Sequence, residues 1–147
     1  MNCVAEIMAI RLKAENEYKA EQERLDRIAH EERRQNALKT IEYCETEIND
    51  FFVESAKSRK ENPQFEIRGI ICEDRNGFEY ICPLKQVKSK YADSRTEHRP
   101  DDEIKFDFVT LVEYLSQFCY TIKVVEDDYW RYGWGNLISK KIVIGLE

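Results

Sequence analysis

The chain is poor in the residues that break helices, ligate metals or build phosphate-binding loops. It contains five glycines, three prolines and two histidines among 147 residues. No glycine or proline precedes Pro63, so the first 62 residues contain no strong helix breaker. No apolar run approaches the roughly 20 residues of a membrane-spanning helix, and no signal-peptide pattern opens the chain. We therefore expect a cytoplasmic protein that does not enter a membrane.

The motifs of common catalytic and cofactor sites are also missing. The patterns G-x-S-x-G, G-x-G-x-x-G and the P-loop do not occur, and both histidines, His30 and His98, stand in polar segments. The cysteines are scattered and never spaced as C-x-x-C, which argues against a zinc site and favours reduced thiols. They are Cys3, Cys44, Cys72, Cys82 and Cys119. The sequence predicts no enzyme, no metal and no cofactor.

The charge balance argues against direct contact with nucleic acid. Asp and Glu number 29 against 23 Lys and Arg, a net charge of −6, and neither half of the chain is basic. A net anion is a poor ligand for a phosphate backbone, because such binding depends on neutralising phosphates with Lys and Arg.

Residues 1–61 read as a long charged amphipathic helix or a helical hairpin. Apolar residues recur at heptad spacing, with Arg11 and Glu21 interrupting the series, and we call this series the seam. The wholly polar segment 30–36 suggests a hinge, so one continuous helix and two hinged helices both fit. A helix this polar must pack on its own sheet, a sibling chain or a partner. The apolar residues of the seam are Val4, Ile7, Ala14, Tyr18, Leu25 and Ile28, and we predict oligomerisation through Val4, Ile7, Tyr18, Leu25 and Ile28.

A second apolar series, out of phase with the seam, follows the polar segment. It comprises Leu38, Ile41, Ile48 and Phe52, and it is predicted to pack on the sheet of the same chain.

Residues 62–147 are predicted to form a small α+β domain with a mainly antiparallel sheet. A hairpin over 65–83 would turn at Asn76-Gly77, which places Cys72 and Cys82 on opposite faces and disfavours a disulfide between them. A polar loop over 85–103 precedes a helix over 107–118 that Asp107 would cap. A pair of strands within 121–146 completes the domain.

An aromatic segment near the C-terminus is the strongest candidate for partner binding. Trp, Tyr and Arg are enriched in interface hot spots, because each offers a large contact area with a polar handle. The alternatives are packing as a small core under the helix, or stacking on a nucleobase with help from the basic residues Lys85, Lys88 and Lys90. The aromatic segment consists of Tyr129, Trp130, Arg131, Tyr132 and Trp134.

In layout the chain resembles small accessory proteins of phages and mobile elements, a group that includes anti-CRISPR proteins. The resemblance lies in a charged N-terminal helix followed by a strand–helix–strand unit, here residues 107–118 running into 121–126. It implies a non-catalytic protein that blocks a host nuclease or defence protein stoichiometrically. Two alternatives stay open: a nucleotide or small-ligand sponge that uses the aromatic segment, and an oligomeric structural subunit that self-associates through the seam.

Overall fold

The computed structural model describes residues 1–88, 96–101, 103–131 and 138–147. A long N-terminal helix is followed by a curled antiparallel sheet and one further helix, so the α+β prediction is confirmed. The helices cover one face of the sheet, and the main core lies between them. None of the helices in these ranges is both long enough and apolar enough to cross a membrane.

The N-terminal helix is continuous, so the structure has the first of the two forms that the sequence left open, one long helix rather than two helices hinged near residues 30–36. Helix α1 (Val4–Tyr43) passes through a π-helical turn (Cys44–Ile48) into α2 (Asn49–Lys57). At about 1.5 Å per residue the whole helix is about 80 Å long. The polar segment stays helical because one of its faces is used for docking: Ala29 is buried, and Arg33 pairs with a carboxylate of the sheet region.

The π turn keeps the buried face of the helix aligned with the sheet. Thr40, Cys44, Ile48 and Phe52 are all buried, at intervals of four residues. In an α-helix, each four-residue step over-rotates by about 40°. A π turn is wider and contains more residues per turn, so it cancels this drift between Cys44 and Ile48.

The second apolar series, which is predicted to pack on the sheet, is only partly buried. Ile48 and Phe52 are buried and Ile41 is half-buried, but Leu38 is exposed. The apolar pattern predicts that Leu38 is buried against the sheet, but in the structure Leu38 is exposed and Thr40 is the buried residue of this turn.

Within the described residues, five strands form the sheet in the order β3-β2-β1-β6-β5, with every neighbouring pair antiparallel. A two-residue strand, β4, pairs with the start of β2. The bounds are β1 Gln64–Glu73, β2 Glu79–Lys88, β3 Thr96–Pro100, β4 Phe106–Asp107, β5 Tyr120–Arg131 and β6 Ile138–Leu146. The central strands β1 and β6 place Ile67, Ile142 and Ile144 in the main core.

The β1–β2 hairpin has a different register from the one predicted. Glu73 pairs with Glu79 and Cys72 with Tyr80, so the loop contains five residues, Asp74–Phe78, rather than two. The Asp74 carboxylate accepts hydrogen bonds from the backbone N–H groups of Asn76 and Phe78, which closes this longer loop. The shift places Cys72 and Cys82 on the same face of the sheet, so their predicted separation is wrong.

The loop predicted over 85–103 is strand at both ends. Residues 84–88 of β2 pair with 96–100 of β3. The stretch 89–95 between them lies outside the described residues.

Helix α3 (Phe108–Gln117) begins where the sequence predicts. The Asp107 carboxylate accepts a hydrogen bond from the Thr110 N–H at 2.9 Å, as an N-cap should. Leu111 and Leu115 are buried in the main core.

Candidate functional site

The first 21 residues form the most exposed element that the structure describes. Every side chain from residue 1 to residue 21 is exposed, and Gln22 is the first half-buried one. We call residues 4–21 the arm; it is about 27 Å of helix. Its exposed large apolar side chains are Val4, Ile7, Met8, Ile10, Leu12 and Tyr18. Val4, Met8 and Leu12 follow one another at intervals of four residues, so they lie side by side on the helix surface, and an exposed apolar patch of this kind is common at protein–protein contact sites.

The seam predicted for oligomerisation is open to solvent except at Leu25. The exposed fractions are 77% for Val4, 53% for Ile7, 66% for Tyr18 and 43% for Ile28, while Leu25 is half-buried. Oligomerisation itself stays a prediction.

Where the arm ends, polar contacts fix the helix on the β1–β2 loop. The Arg75 guanidinium donates a hydrogen bond to the Gln22 side chain and lies 3.7 Å from the Asp26 carboxylate. One turn further on, the His30 ring makes an edge contact with the ring of Phe78, with 5.1 Å between centroids. These contacts set the direction in which the arm leaves the sheet.

An ion pair between Arg33 and Asp107 also holds the helix against the sheet region. The Arg33 guanidinium lies 4.2 Å from the Phe78 ring centroid and donates a hydrogen bond to the Asp107 carboxylate at 3.1 Å. Asp107 is 3% exposed, and its backbone N–H donates to the Thr40 hydroxyl at 2.9 Å. Helix α1, β4 and the start of α3 are thereby held together by one hydrogen-bonded cluster.

A cleft of about 400 Å³ opens beside the π turn. The Tyr114 hydroxyl donates a hydrogen bond to the Glu45 carboxylate at 2.7 Å, and this bond raises the pKa of the Tyr114 phenol. The exposed ring of Phe118 packs against Tyr114, with 5.2 Å between centroids. π turns often occur at functional sites, so the cleft is a second candidate surface. Its lining residues are Cys44, Glu45, Ile48, Asn49, Tyr114, Leu115, Phe118 and Tyr120.

Only the first three residues of the aromatic segment fall within a described strand, at the end of β5. Tyr129, Trp130 and Arg131 belong to β5, and the backbone of Arg131 pairs with Ile138 after an irregularity in the register. Their side chains, and all of Tyr132 and Trp134, lie outside the described residues. Partner binding by this segment stays a prediction.

The predicted basic residues are not brought beside the aromatic segment by the strand order. Lys85 is on β2, which β1 and β6 separate from β5. Its ammonium lies 3.6 Å from the Asp101 carboxylate. The backbone of Lys88 pairs with Thr96, while the Lys88 side chain and all of Lys90 lie outside the described residues.

All five cysteines lie in the described ranges, and none forms a disulfide. Burial raises the pKa of the Cys44 thiol to about 11 and also raises that of Cys72. Within the ranges that the structure covers, no three His, Cys, Asp or Glu side chains are grouped so that they could hold a metal ion.

Sequence reasoning found the seam but missed the cleft and the Arg33–Asp107 cluster. Heptad spacing reveals an exposed apolar stripe, whereas a π turn leaves no periodic signal that can be read from one sequence. Comparison of the chain with protein-family models, with curated proteins and with solved structures gives no match.

Proposed function

We propose that this chain is a non-catalytic protein-binding protein whose main contact surface is the apolar arm. The observation that supports this proposal is the set of large apolar side chains on a helix that projects beyond the sheet, all of them exposed. A helix cannot gain enough stability in water from propensity alone, so an apolar helix face is usually covered by another chain. An amphipathic helix that docks on a partner is a common recognition mode.

The finer proposal follows the layout of small phage and mobile-element proteins. The chain would act as a stoichiometric inhibitor of a bacterial defence protein. It would inhibit by binding alone, without catalysis. The aromatic segment around Trp130 and Trp134 would supply a second contact.

The test is a pull-down from bacterial lysate with tagged protein, followed by mass identification and light scattering of the eluted complex. We expect a partner in fixed stoichiometry, and we expect the variant Met8→Gln/Leu12→Gln to lose most of it. The matched control is Leu38→Gln, because Leu38 lies on the same helix outside the arm and is 53% exposed, against 59% for Leu12. Equal capture by both variants would contradict the assignment to the arm.

The cleft beside the π turn supports one second candidate, a small-ligand sponge. It offers aromatic rings together with the Glu45 carboxylate and the Asn49 amide, a mixture typical of small-molecule sites. A small molecule released from the purified protein on denaturation, with no protein partner in the pull-down, would favour this alternative over the arm.

A further inference from the structure

The seam contains two charges that decide how two copies of the chain can pair. In heptad terms Val4, Arg11, Tyr18 and Leu25 occupy one core position, and Ile7, Ala14, Glu21 and Ile28 occupy the other. The series therefore covers about 37 Å of helix. Six of the eight positions are apolar or small, which suits a two-stranded coiled coil, while Arg11 and Glu21 do not.

Parallel pairing would oppose like charges. In a parallel coiled coil equivalent residues face each other across the seam. Arg11 would meet Arg11 of the second copy, and Glu21 would meet Glu21. Like-charge contacts across an interface cost several kcal/mol, so this arrangement is disfavoured.

Antiparallel pairing removes both conflicts at once. Arg11 and Glu21 lie five residues on either side of Asn16, and the two core positions face each other in antiparallel coils. If the two-fold axis of the dimer passes between the two Asn16 residues, Arg11 of each copy faces Glu21 of the other. In the same register the apolar contacts are Val4 with Ile28, Ile7 with Leu25, and Ala14 with Tyr18.

We propose that the arm pairs with the arm of a second copy in this antiparallel register. The proposal rests on one part of the proposed function, that the arm is a protein-binding surface, and it names a second copy of the chain rather than a defence protein as what covers the seam. Charge complementarity favours a second copy as the chain that covers the arm. The seam contains two charged residues, which are opposite in sign and equally far from its centre, so two antiparallel copies pair each charge with its opposite.

The existing ion pairs of the arm extend into this arrangement. Arg11 lies 3.1 Å from Glu15 of its own helix, and Glu21 lies 2.6 Å from Arg24. Joining Arg11 to Glu21 of the second copy links these pairs into a row of alternating sign. The row occurs twice in the dimer because of the two-fold symmetry.

The docked part of the helix leaves room for the second copy. Gln22, Asp26 and Ala29 face the sheet region, and the seam residue Leu25 beside them is half-buried, while Ile28 stays 43% exposed. The end of the second arm can therefore lie alongside residues 22–28. The two sheets would then stand at opposite ends of the paired helices, and each would keep its own aromatic segment.

Charge exchange tests the register directly. Arg11→Glu creates two contacts between carboxylates in the dimer, and Glu21→Arg creates two contacts between guanidinium groups. We expect each single variant to dimerise at least about tenfold more weakly than the wild type in sedimentation equilibrium. The double variant Arg11→Glu/Glu21→Arg restores opposite charges and should recover the wild-type affinity.

A mixture of the two single variants provides the sharpest readout. The carboxylate introduced at position 11 of one chain would meet the guanidinium introduced at position 21 of the other, and the unchanged Glu21 and Arg11 would also meet. The mixture should therefore form a heterodimer although neither variant dimerises well alone. Lys13→Glu and Glu23→Arg are matched controls, since both positions are exposed and lie outside the seam. Near-ultraviolet circular dichroism confirms that each variant is folded.

Each outcome bears on a different proposal. A wild-type chain that stays monomeric, or a mixture that associates no better than its components, overturns the antiparallel pairing. If the monomer nevertheless captures a partner through the arm, the proposed function stands while this inference fails. A dimer with the expected charge response that captures no partner supports the pairing and contradicts the inhibitor proposal.

Discussion

At the scale of single residues, the stability of the fold depends on side chains that must keep either a proton or an ionic partner. Asp107 is an example, because its carboxylate is shared between the Thr110 N–H and the Arg33 guanidinium. Cys44 is buried in the main core, and its neighbour Tyr43 packs against Phe106 with 4.5 Å between ring centroids. Their surroundings favour the neutral form of both side chains.

This environment predicts a loss of stability at alkaline pH. Burial raises the pKa of Cys44 from 9.0 to about 11 and that of Tyr43 from 10.0 to about 12, with a smaller contribution from nearby acidic residues. Both groups bind their protons more tightly in the folded chain. Their stabilising contribution is therefore complete below about pH 9 and is lost as the pH rises through about 11 and 12.

Urea unfolding between pH 8 and about pH 12 measures this loss. The free energy of unfolding should fall over that window, and it should fall less in the variant Tyr43→Phe/Cys44→Ala. Tyr18→Phe is the control because Tyr18 lies in the exposed arm. An equal alkaline fall in the double variant and the wild type would show that other groups are responsible.

At the scale of elements, the π turn is the feature that matches a long helix to a curled sheet. It inserts one residue more than an α-helix needs between Cys44 and Ile48. That extra residue maintains the line of buried side chains from Thr40 to Phe52. It also shapes the cleft beside Tyr114.

Deleting the exposed residue Glu47 should therefore be tolerated. With one residue fewer, an ordinary α-helix brings Ile48 and Phe52 to the same face as Thr40 and Cys44, because steps of three and four residues alternate around one stripe. We expect the free energy of unfolding to change by no more than about 1 kcal/mol. The Tyr114–Glu45 hydrogen bond should be altered, and tyrosine absorbance titration would detect the change.

Deletion of the exposed residue Lys39 is the matched comparison. It rotates everything before it by about 100° relative to Thr40, so Arg33 can no longer reach Asp107. We expect a loss of about 3 kcal/mol, since the Asp107 carboxylate, which is 3% exposed, loses its Arg33 partner. Equal effects of the two deletions would mean that the π turn does not set the alignment.

At the scale of the whole molecule, the sequence predicts what depends on periodicity and misses what depends on single polar contacts. The exposed seam, the N-cap at Asp107 and the closing strand pair all follow from spacing or residue type. The hairpin register could not be read from Asn76-Gly77, because the side chain of Asp74 closes a longer loop. Strand β3 was missed because its residues are polar, and its strand character comes from pairing with β2.

The same contrast explains why the candidate sites were only partly predicted. An apolar stripe is visible in sequence because it is repeated over several turns. The cleft depends on an irregular turn and on the approach of α3 to Glu45, which are tertiary features. The polarity of residues 30–36 left both a hinge and a continuous helix open, and the segment is helical in the structure, where Arg33 pairs with the buried Asp107 carboxylate.

Removal of the arm tests how the molecule is divided between a folded body and a binding element. Deleting residues 1–21 removes only exposed side chains, while Gln22 and Asp26 keep their contacts with Arg75. We therefore expect the truncated chain to remain folded, with an unchanged near-ultraviolet spectrum and a urea midpoint close to that of the full chain. Insoluble protein would instead show that the arm belongs to the core.

The truncated chain also separates intrinsic stability from stability gained by association. Association stabilises the folded state by mass action, so the melting temperature of the full chain should rise with protein concentration if its arm pairs with a second copy. The truncated chain should melt at one temperature whatever its concentration. Concentration dependence that survives the truncation would place the self-association surface on the sheet or α3 and contradict the role assigned to the arm.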